Sequence, residues 1–301
     1  MNSPKIFAGS SNLTLAQNIS QKLKLALGKI DIGRFADSEI DIWIGDKVNN
    51  VNVFLIQSIS SPVNENLMEL ALCADALKRS GAHKITAVIP YLGYSRKEKQ
   101  TRNGEPISAK VIANIIVASG VTKVITLDLH ADAIVGFFDI PVIHLSALGL
   151  LAQKVKSLNL SNPIVVSPDV GGVRRARNFA NILTLPLAVI EKHRQAHIRD
   201  QLEVLAMSQE FSGESAIIID DVISTGGTIA ESASALKAKG IKKVIVCATH
   251  GIFAGKVIEN LKKSPIDKII VTNSIYQKVK SNKIEVISCA SLIASCLQEE
   301  L

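Results

Sequence analysis

The segment AIIIDDVISTGGT, Ala216 to Thr228, decides the fold of this chain. Four apolar residues, Ala216 to Ile219, precede two carboxylates, Asp220 and Asp221. An apolar run bounded by charge reads as a parallel strand covered on both faces. A helix follows over Thr228 to Lys239, with Ile229, Ala233 and Leu236 on its inner face and Gly240 as its stop. Between them, Thr225-Gly226-Gly227-Thr228 leaves the backbone bare at a helix N-terminus. Free amide N–H groups and the positive end of the helix dipole favour an anion there, and hydroxyls add donors. The paired acids fall at the carboxyl end of the strand, where open α/β sheets take their ligands. Carboxylates accept from vicinal hydroxyls, so one molecule with a phosphate beside a diol satisfies both halves. The segment therefore points to a sugar phosphate. The alternative is a plain strand-turn-helix with solvated acids. A Walker loop is excluded, because no Lys follows the second glycine.

With 301 residues the chain is long enough for two ordinary domains. A hydrophobic content of 47% with only 4% aromatics indicates aliphatic α/β packing. The formal charge of +7 favours anionic ligands. Its lysines are scattered, as at Lys22, Lys24, Lys237 and Lys243, without the basic stripe and interleaved aromatics of a nucleic-acid surface. Cys73, Cys247, Cys289 and Cys296 lack metal-ligand spacing and read as reduced thiols of a cytoplasmic protein. Met1 to Asn12 holds no signal-type apolar region, and no apolar run reaches membrane-spanning length, so no membrane partner is expected.

Working outward, strands are expected at Lys5–Ala8, Val51–Ile56, Ile85–Ile89, Val124–Leu127 and Pro141–Ser146, alternating with helices. Thr14 is expected to cap the first helix and Gly28 to close it. The alternation of Ile30 to Ile44 indicates antiparallel strand flanking a loop, Arg34 to Glu39, that sets an aromatic face beside two carboxylates. A polar excursion, Ser95 to Pro106, carries Arg96, Lys97, Lys99 and Arg102 at a strand's carboxyl end, well placed for a polyanion. Gly120 to His130 is echoed by Gly240 to His250: in each, a helix stop, an apolar strand and a histidine follow at the same spacing. The echo implies two α/β domains of related build, divided as 1–145 and 146–301, with the last helix available to pack on the first. In the second domain a strand ends at Asp169-Val170-Gly171-Gly172, and a helix over Val173–Ile182 follows. Arg174, Arg175 and Arg177 of that helix read as surface residues suited to a subunit contact. Glu191 to Arg199 is a charged strand exit, and a further helix is expected over Ala254–Lys262.

The motifs RFADSE (Arg34–Glu39), YLGYSRKEK (Tyr91–Lys99), LDLH (Leu127–His130), VSPDVGG (Val166–Gly172), IEKHR (Ile190–Arg194), DDVISTGGT (Asp220–Thr228) and THGIF (Thr249–Phe253) occur in the order found in ribose-phosphate diphosphokinases, which this chain resembles over nearly its whole length. The resemblance implies an α/β fold of two phosphoribosyltransferase-like domains, each a mainly parallel sheet flanked by helices. It implies transfer of the diphosphoryl group of ATP to the anomeric hydroxyl of ribose 5-phosphate, with Mg²⁺ as cofactor and a homo-oligomeric assembly. On matching positions, Phe35, Asp37, Ser38, Glu39, Arg96 and Lys97 bind ATP. Asp220, Asp221, Ser224, Thr225, Gly226, Gly227 and Thr228 bind ribose 5-phosphate. His130 and Asp169 serve the metal, and Lys192 and Arg194 stabilise charge on the transferring group. Two positions depart from the commoner pattern: Lys97 stands where many members have Gln, and Ser224 where many have Asp. Ser224 and the Asn103–Pro106 run are similar to archaeal-type members. A phosphoribosyltransferase or a catalytically silent regulatory relative are the competing readings.

Overall fold

Short apolar runs become strands and amphipathic segments become helices, in the order β1 (Lys5–Ala8), α1 (Leu13–Leu23), β2 (Ile30–Arg34), β3 (Ile40–Ile44), β4 (Asn52–Ile56), α2 (Val63–Arg79), β5 (Lys84–Ile89), α3 (Ser108–Ala118), β6 (Lys123–Leu127), β7 (Val142–Leu145), α4 (Leu148–Lys156), β8 (Pro163–Ser167), α5 (Val173–Leu183), β9 (Leu187–His193), β10 (Gln201–Ala206), β11 (Ser215–Ile223), α6 (Gly227–Ala238), β12 (Lys243–Gly251), α7 (Val257–Lys263), β13 (Lys268–Thr272), β14 (Ile284–Ile287) and α8 (Ala290–Gln298). This computed structural model describes residues 3–193, 201–206, 213–255, 257–279 and 281–301. The chain forms two units: Met1–Ser146 with Ser274–Tyr276 and Ser288–Leu301, and Ala147–Asn273 with Gln277–Ile287.

In the first unit a parallel sheet runs β1-β4-β5-β6-β7, so strands lie side by side in the order the chain makes them. Phe7, Val53, Leu55, Ala87 and Ile89 project from one face onto Leu67, Leu70 and Leu77 of α2 and Ala109, Ile112 and Ile116 of α3. β2 and β3 form an antiparallel pair whose Ile30, Ile32, Ile42 and Ile44 turn toward the same core. α1 packs against β1 and α8. Asn12, rather than Thr14, caps α1: its side-chain oxygen accepts from the Leu15 N–H at 3.2 Å, an interaction that typically contributes ~1 kcal/mol. The helix ends at Leu23, with Lys24 in the left-handed conformation, and Gly28 lies beyond it. Gly28 is needed for space instead: a Cβ there would come within 2.5 Å of the Phe7 ring.

The second unit has the order β10-β9-β8-β11-β12-β13-β14, parallel except for the β9–β10 hairpin. From β8 the chain adds β9 on one side, then returns to place β11 on the other. The strand order thus reverses between β8 and β11, the position where an open α/β sheet leaves a crevice. Along β11, Ala216 and Ile218 pack with α6 and α7, while Ile217 and Ile219 pack with α4 and α5. Both faces are covered, which is why the run is apolar without alternation.

β11 is longer than its apolar run. It pairs with β12 as far as Ile223↔Gly251 but with β8 only to Ile218↔Val166, so its last residues overhang the crevice. Asp220 and Asp221 therefore stand inside the strand and not in the turn after it. The strand exit is also corrected: β9 continues through His193, and its Lys192 backbone lies opposite Leu202 of β10. α7 begins at Val257, not at Ala254. Cys73, Cys247 and Cys289 are buried and unbridged, and burial raises the Cys73 thiol to about 12, which keeps it in the unreactive form. Among the described residues no helix is long and apolar enough to cross a membrane.

Candidate active site

At the crevice of the second unit, β8 ends in Ser167 and the chain turns through Asp169 to Gly172. Ser167 Oγ donates to the Asp169 carbonyl at 2.7 Å, and the Gly172 N–H donates to Asp169 Oδ1 at 2.8 Å. A Cβ on Gly172 would lie 2.9 Å from Ser167 Oγ, so the turn closes tightly beneath an exposed Asp169. From the first turn of α5, Arg175 spans to both acids of β11. Its Nη1 is 2.8 Å from Asp220 Oδ1 and its Nη2 is 3.2 Å from Asp221 Oδ1. These side chains retain 18%, 22% and 5% of their exposure, so the pair is shielded enough to matter; removing one partner of a buried pair typically costs ~3–5 kcal/mol. Asp220 Oδ1 also accepts from the Asp221 N–H at 2.8 Å. Burial, and next the neighbouring Asp221, push the Asp220 carboxyl above the ordinary carboxylate range, with Arg175 pulling the other way.

The expectation that Arg175 lies at the surface was wrong. Ala176, Phe179 and Ala180 are the buried face of α5, and Arg175 lies one turn before Phe179 on that face. Arg174 and Arg177 are exposed. The helical period carried the signal, hidden by three arginines in four residues.

Beyond the acids, the Ile223 carbonyl accepts from the N–H groups of Ile252 and Phe253 at 2.9 and 3.1 Å, and the Ser224 carbonyl from Ala254 at 3.0 Å. The turn is thereby fixed from below by the segment after β12. Gly226 adopts φ +75° and would press a Cβ onto Val257 and Leu261 at 3.1 and 3.2 Å. Gly227 faces open space, with nothing within 4 Å of a Cβ. It opens α6, whose N-cap makes no side-chain hydrogen bond, and Thr225 and Thr228 are exposed on either side. The turn thus offers the start of a twelve-residue helix, two hydroxyls and room for an anion.

In the first unit, Arg34 to Glu39 closes the β2–β3 hairpin. Phe35 N–H donates to the Glu39 carbonyl and Ser38 N–H to the Phe35 carbonyl, both at 2.9 Å, with Ser38 at φ +77°. Asp37 Oδ1 accepts from the Glu39 N–H at 3.1 Å, and Arg34 pairs with Glu65. The result is a self-bonded loop that presents Phe35 at 55% exposure. After β5, Gly93 fits under the Ile59 carbonyl, where a Cβ would come within 2.5 Å. The excursion that carries the exposed Arg96 and Lys97 is organised by Glu105. This carboxylate accepts from Thr101 Oγ1 at 2.6 Å and Thr101 N–H at 3.0 Å and pairs with Lys97 at 3.2 Å. The Thr101 hydroxyl first, then its N–H and Lys97, hold Glu105 down to about 2. After β6, Asp128 sits at φ +33° and accepts from Ser146 Oγ at 2.8 Å. Leu129 N–H donates to His144 Nε2 at 2.8 Å, which anchors the loop that exposes His130. Neither His144 nor Glu105 was assigned a role from sequence.

Lys192 contributes its backbone to β9, its side chain lying outside the described residues, and Arg194 also lies outside them. His250 is buried at the end of β12. Among the described residues no cluster of three or more His, Cys, Asp or Glu is arranged to hold a metal.

Residues 4–120 match the model of the N-terminal domain of ribose phosphate pyrophosphokinase, and residues 137–289 match that of the phosphoribosyl transferase domain. The ribose-phosphate pyrophosphokinase of Aquifex aeolicus is 47% identical over 99% of this chain and 96% of its own length. The chain belongs to the ribose-phosphate pyrophosphokinase family. The family member of Fusobacterium nucleatum is 45% identical over 98% of this chain and 94% of its own. Among solved structures, the phosphoribosylpyrophosphate synthetase of Mycobacterium smegmatis superposes with a TM-score of 0.93 at 34% identity, covering 100% of this chain and 99% of that one. Two phosphoribosyltransferase-type domains with mainly parallel sheets follow from these matches, as the motif order implied.

Proposed function

We propose that this family member forms 5-phosphoribosyl 1-diphosphate and AMP from ribose 5-phosphate and ATP. The observation that carries the reading is the overhang of β11, which sets Asp220 and Asp221 beside a helix N-terminus that has no side-chain cap, at the sheet's switch point. A pentose phosphate fits that juxtaposition: the carboxylates accept from ring hydroxyls while the Thr225–Thr228 turn takes the phosphate. Ser224 adds a hydroxyl where a third acid would add charge. Phe35 stacks the adenine, Asp37, Ser38 and Glu39 read its edge, and Arg96 and Lys97 bind the triphosphate.

In the transfer, the anomeric oxygen bonds to the β-phosphorus, the bond from that phosphorus to the α–β bridging oxygen breaks, and the hydroxyl proton is released. Such a step needs alignment and charge stabilisation more than covalent help, and Lys192 and Arg194 are the cations assigned to it. Mg²⁺ binds through one or two carboxylates, substrate phosphates and water rather than a full protein cage, so the exposed Asp169 carboxylate fits it and His130 suits its water shell. When bound, the ion neutralises phosphate charge.

Incubation of the purified chain with ATP, Mg²⁺ and ribose 5-phosphate is expected to release AMP in step with 5-phosphoribosyl 1-diphosphate. Release of ADP alone, or no turnover, would defeat the reading.

A further inference from the structure

We propose that Arg175 is a positioning residue for the sugar end of the site: its guanidinium holds the carboxylates of Asp220 and Asp221 side by side and so sets affinity for ribose 5-phosphate. The inference rests on the reading above that the acid pair takes the sugar.

Consecutive strand residues point to opposite faces of a sheet, so two adjacent carboxylates do not converge by backbone geometry alone. Here they converge on one side chain. Arg175 places one nitrogen 2.8 Å from Asp220 and a second 3.2 Å from Asp221, a fork across two separate groups. The guanidinium is planar and permanently charged, so this contact fixes direction as well as charge. Its reach is set by packing: Ala176, Phe179 and Ala180 are buried beneath α5, and the guanidinium lies close enough to Gly172 that a Cβ there would be 3.8 Å from Nη1.

Without the cation, two like charges would share a poorly solvated crevice, and each would turn away or take a proton. Other described groups stand on the elements around the pair. Asp169 after β8 adds negative charge, His250 on β12 is buried opposite Val222, and the first turn of α6 holds no acid. Burial and Asp221 already push Asp220 toward protonation, and Arg175 opposes them. The guanidinium touches the two carboxylates assigned to the sugar, so its effect falls on sugar binding.

The test compares Arg175→Met and Arg175→Lys with the parent by calorimetric titration of ribose 5-phosphate and by steady-state kinetics. Arg175→Met is expected to weaken ribose 5-phosphate binding by about tenfold or more, while the KM for ATP and the kcat at saturating sugar stay within about threefold. Arg175→Lys is expected to recover only part of the affinity, because an ammonium cannot fork between two carboxylates. Unchanged sugar affinity, or parallel losses in kcat and in the KM for ATP, would overturn the proposal.

A double-mutant cycle in melting temperature guards against a purely structural loss. In an Asp220→Asn background, which removes one charge, Arg175→Met should cost distinctly fewer degrees than in the parent. Additive losses would mean that Arg175 ties α5 to β11 without serving the charges, and would also overturn it. If the parent itself neither binds ribose 5-phosphate nor forms AMP, the functional reading falls together with the proposal. A parent that does both, with unmoved variants, defeats the proposal alone.

Discussion

The unit β5–α3–β6 and the unit β11–α6–β12 are built alike, yet they end in different devices. In both, a parallel strand leads to a helix that stops at a left-handed glycine, Gly120 at φ +104° and Gly240 at φ +92°, and a second parallel strand follows. The connections from first strand to helix differ. After β11 only Ser224, Thr225 and Gly226 intervene before α6, so the helix N-terminus is brought up against the strand's own acids. After β5 the chain makes a long basic excursion before α3, with Arg96, Lys97 and Lys99 exposed. A short connection makes a rigid seat for a small anion, and a long one makes a reach. Their histidines diverge as well: His130 lies beyond β6 and is exposed, whereas β12 runs on through His250 and buries it. Strand order adds to the contrast. Only the second unit reverses its order beside the acids, while the first lays down β1, β4, β5, β6 and β7 consecutively.

If seat and reach divide the labour in this way, substitutions should separate binding of the two substrates from transfer. The largest effect is expected where neither device is touched. Replacing Lys192 and Arg194 together by Ala should lower kcat by ~10³ with ribose 5-phosphate affinity held within about threefold. Equal losses in kcat and affinity would place those cations in the seat instead. Phe35→Ala should raise the KM for ATP by about tenfold, as loss of a stacking face does, and leave ribose 5-phosphate binding unmoved. A matching loss in sugar binding would erase the division.

A smaller effect is expected at Glu105, which organises the excursion through Thr101 and Lys97. Glu105→Gln should raise the KM for ATP about threefold, because the amide loses its charge toward Lys97. The sign of its pH dependence is fixed by the depressed carboxyl. Its contribution to loop order is present above the ordinary carboxylate range and is lost only as pH falls toward about 2, so this group leaves the KM for ATP of the parent flat near neutrality. An excursion insensitive to Glu105→Gln would mean that its order comes from elsewhere.

Much of this contrast was legible in sequence because local pattern carries it. Strand runs such as Lys5–Ala8 and Val124–Leu127, the helix that starts at Val173 and the alternation of Ile30–Ile44 each follow from hydrophobic period. What escaped depended on partners distant in the chain. A strand with two carboxylates is expected to stop at them, but β12 extends far enough to pair Ile223 with Gly251 and carries β11 past both. A sequence separation of 45 hid the contact of Arg175 with Asp220, although the position of Arg175 one turn before Phe179 already placed it on the inner face. His144 meets Leu129 only because β6 and β7 are neighbours in the sheet. Cap identity at Asn12 turned on a side-chain geometry that Thr14, inside the helix, has no means to adopt.

The seat itself is tested most directly by titrating ribose 5-phosphate into a Gly227→Val variant, with Gly226→Ala as its contrast. Gly227 has open space where a Cβ would stand, so the valine should leave the melting temperature nearly unchanged and fill the room of the phosphate. Gly226 is left-handed and packed, so the alanine should instead cost about 1–2 kcal/mol of stability. The expected result for Gly227→Val is a folded protein whose affinity for ribose 5-phosphate has fallen by ~100-fold, equivalent to about 2.8 kcal/mol. A folded Gly227→Val protein that still binds ribose 5-phosphate as tightly as the parent would contradict the placement of the 5-phosphate in this turn.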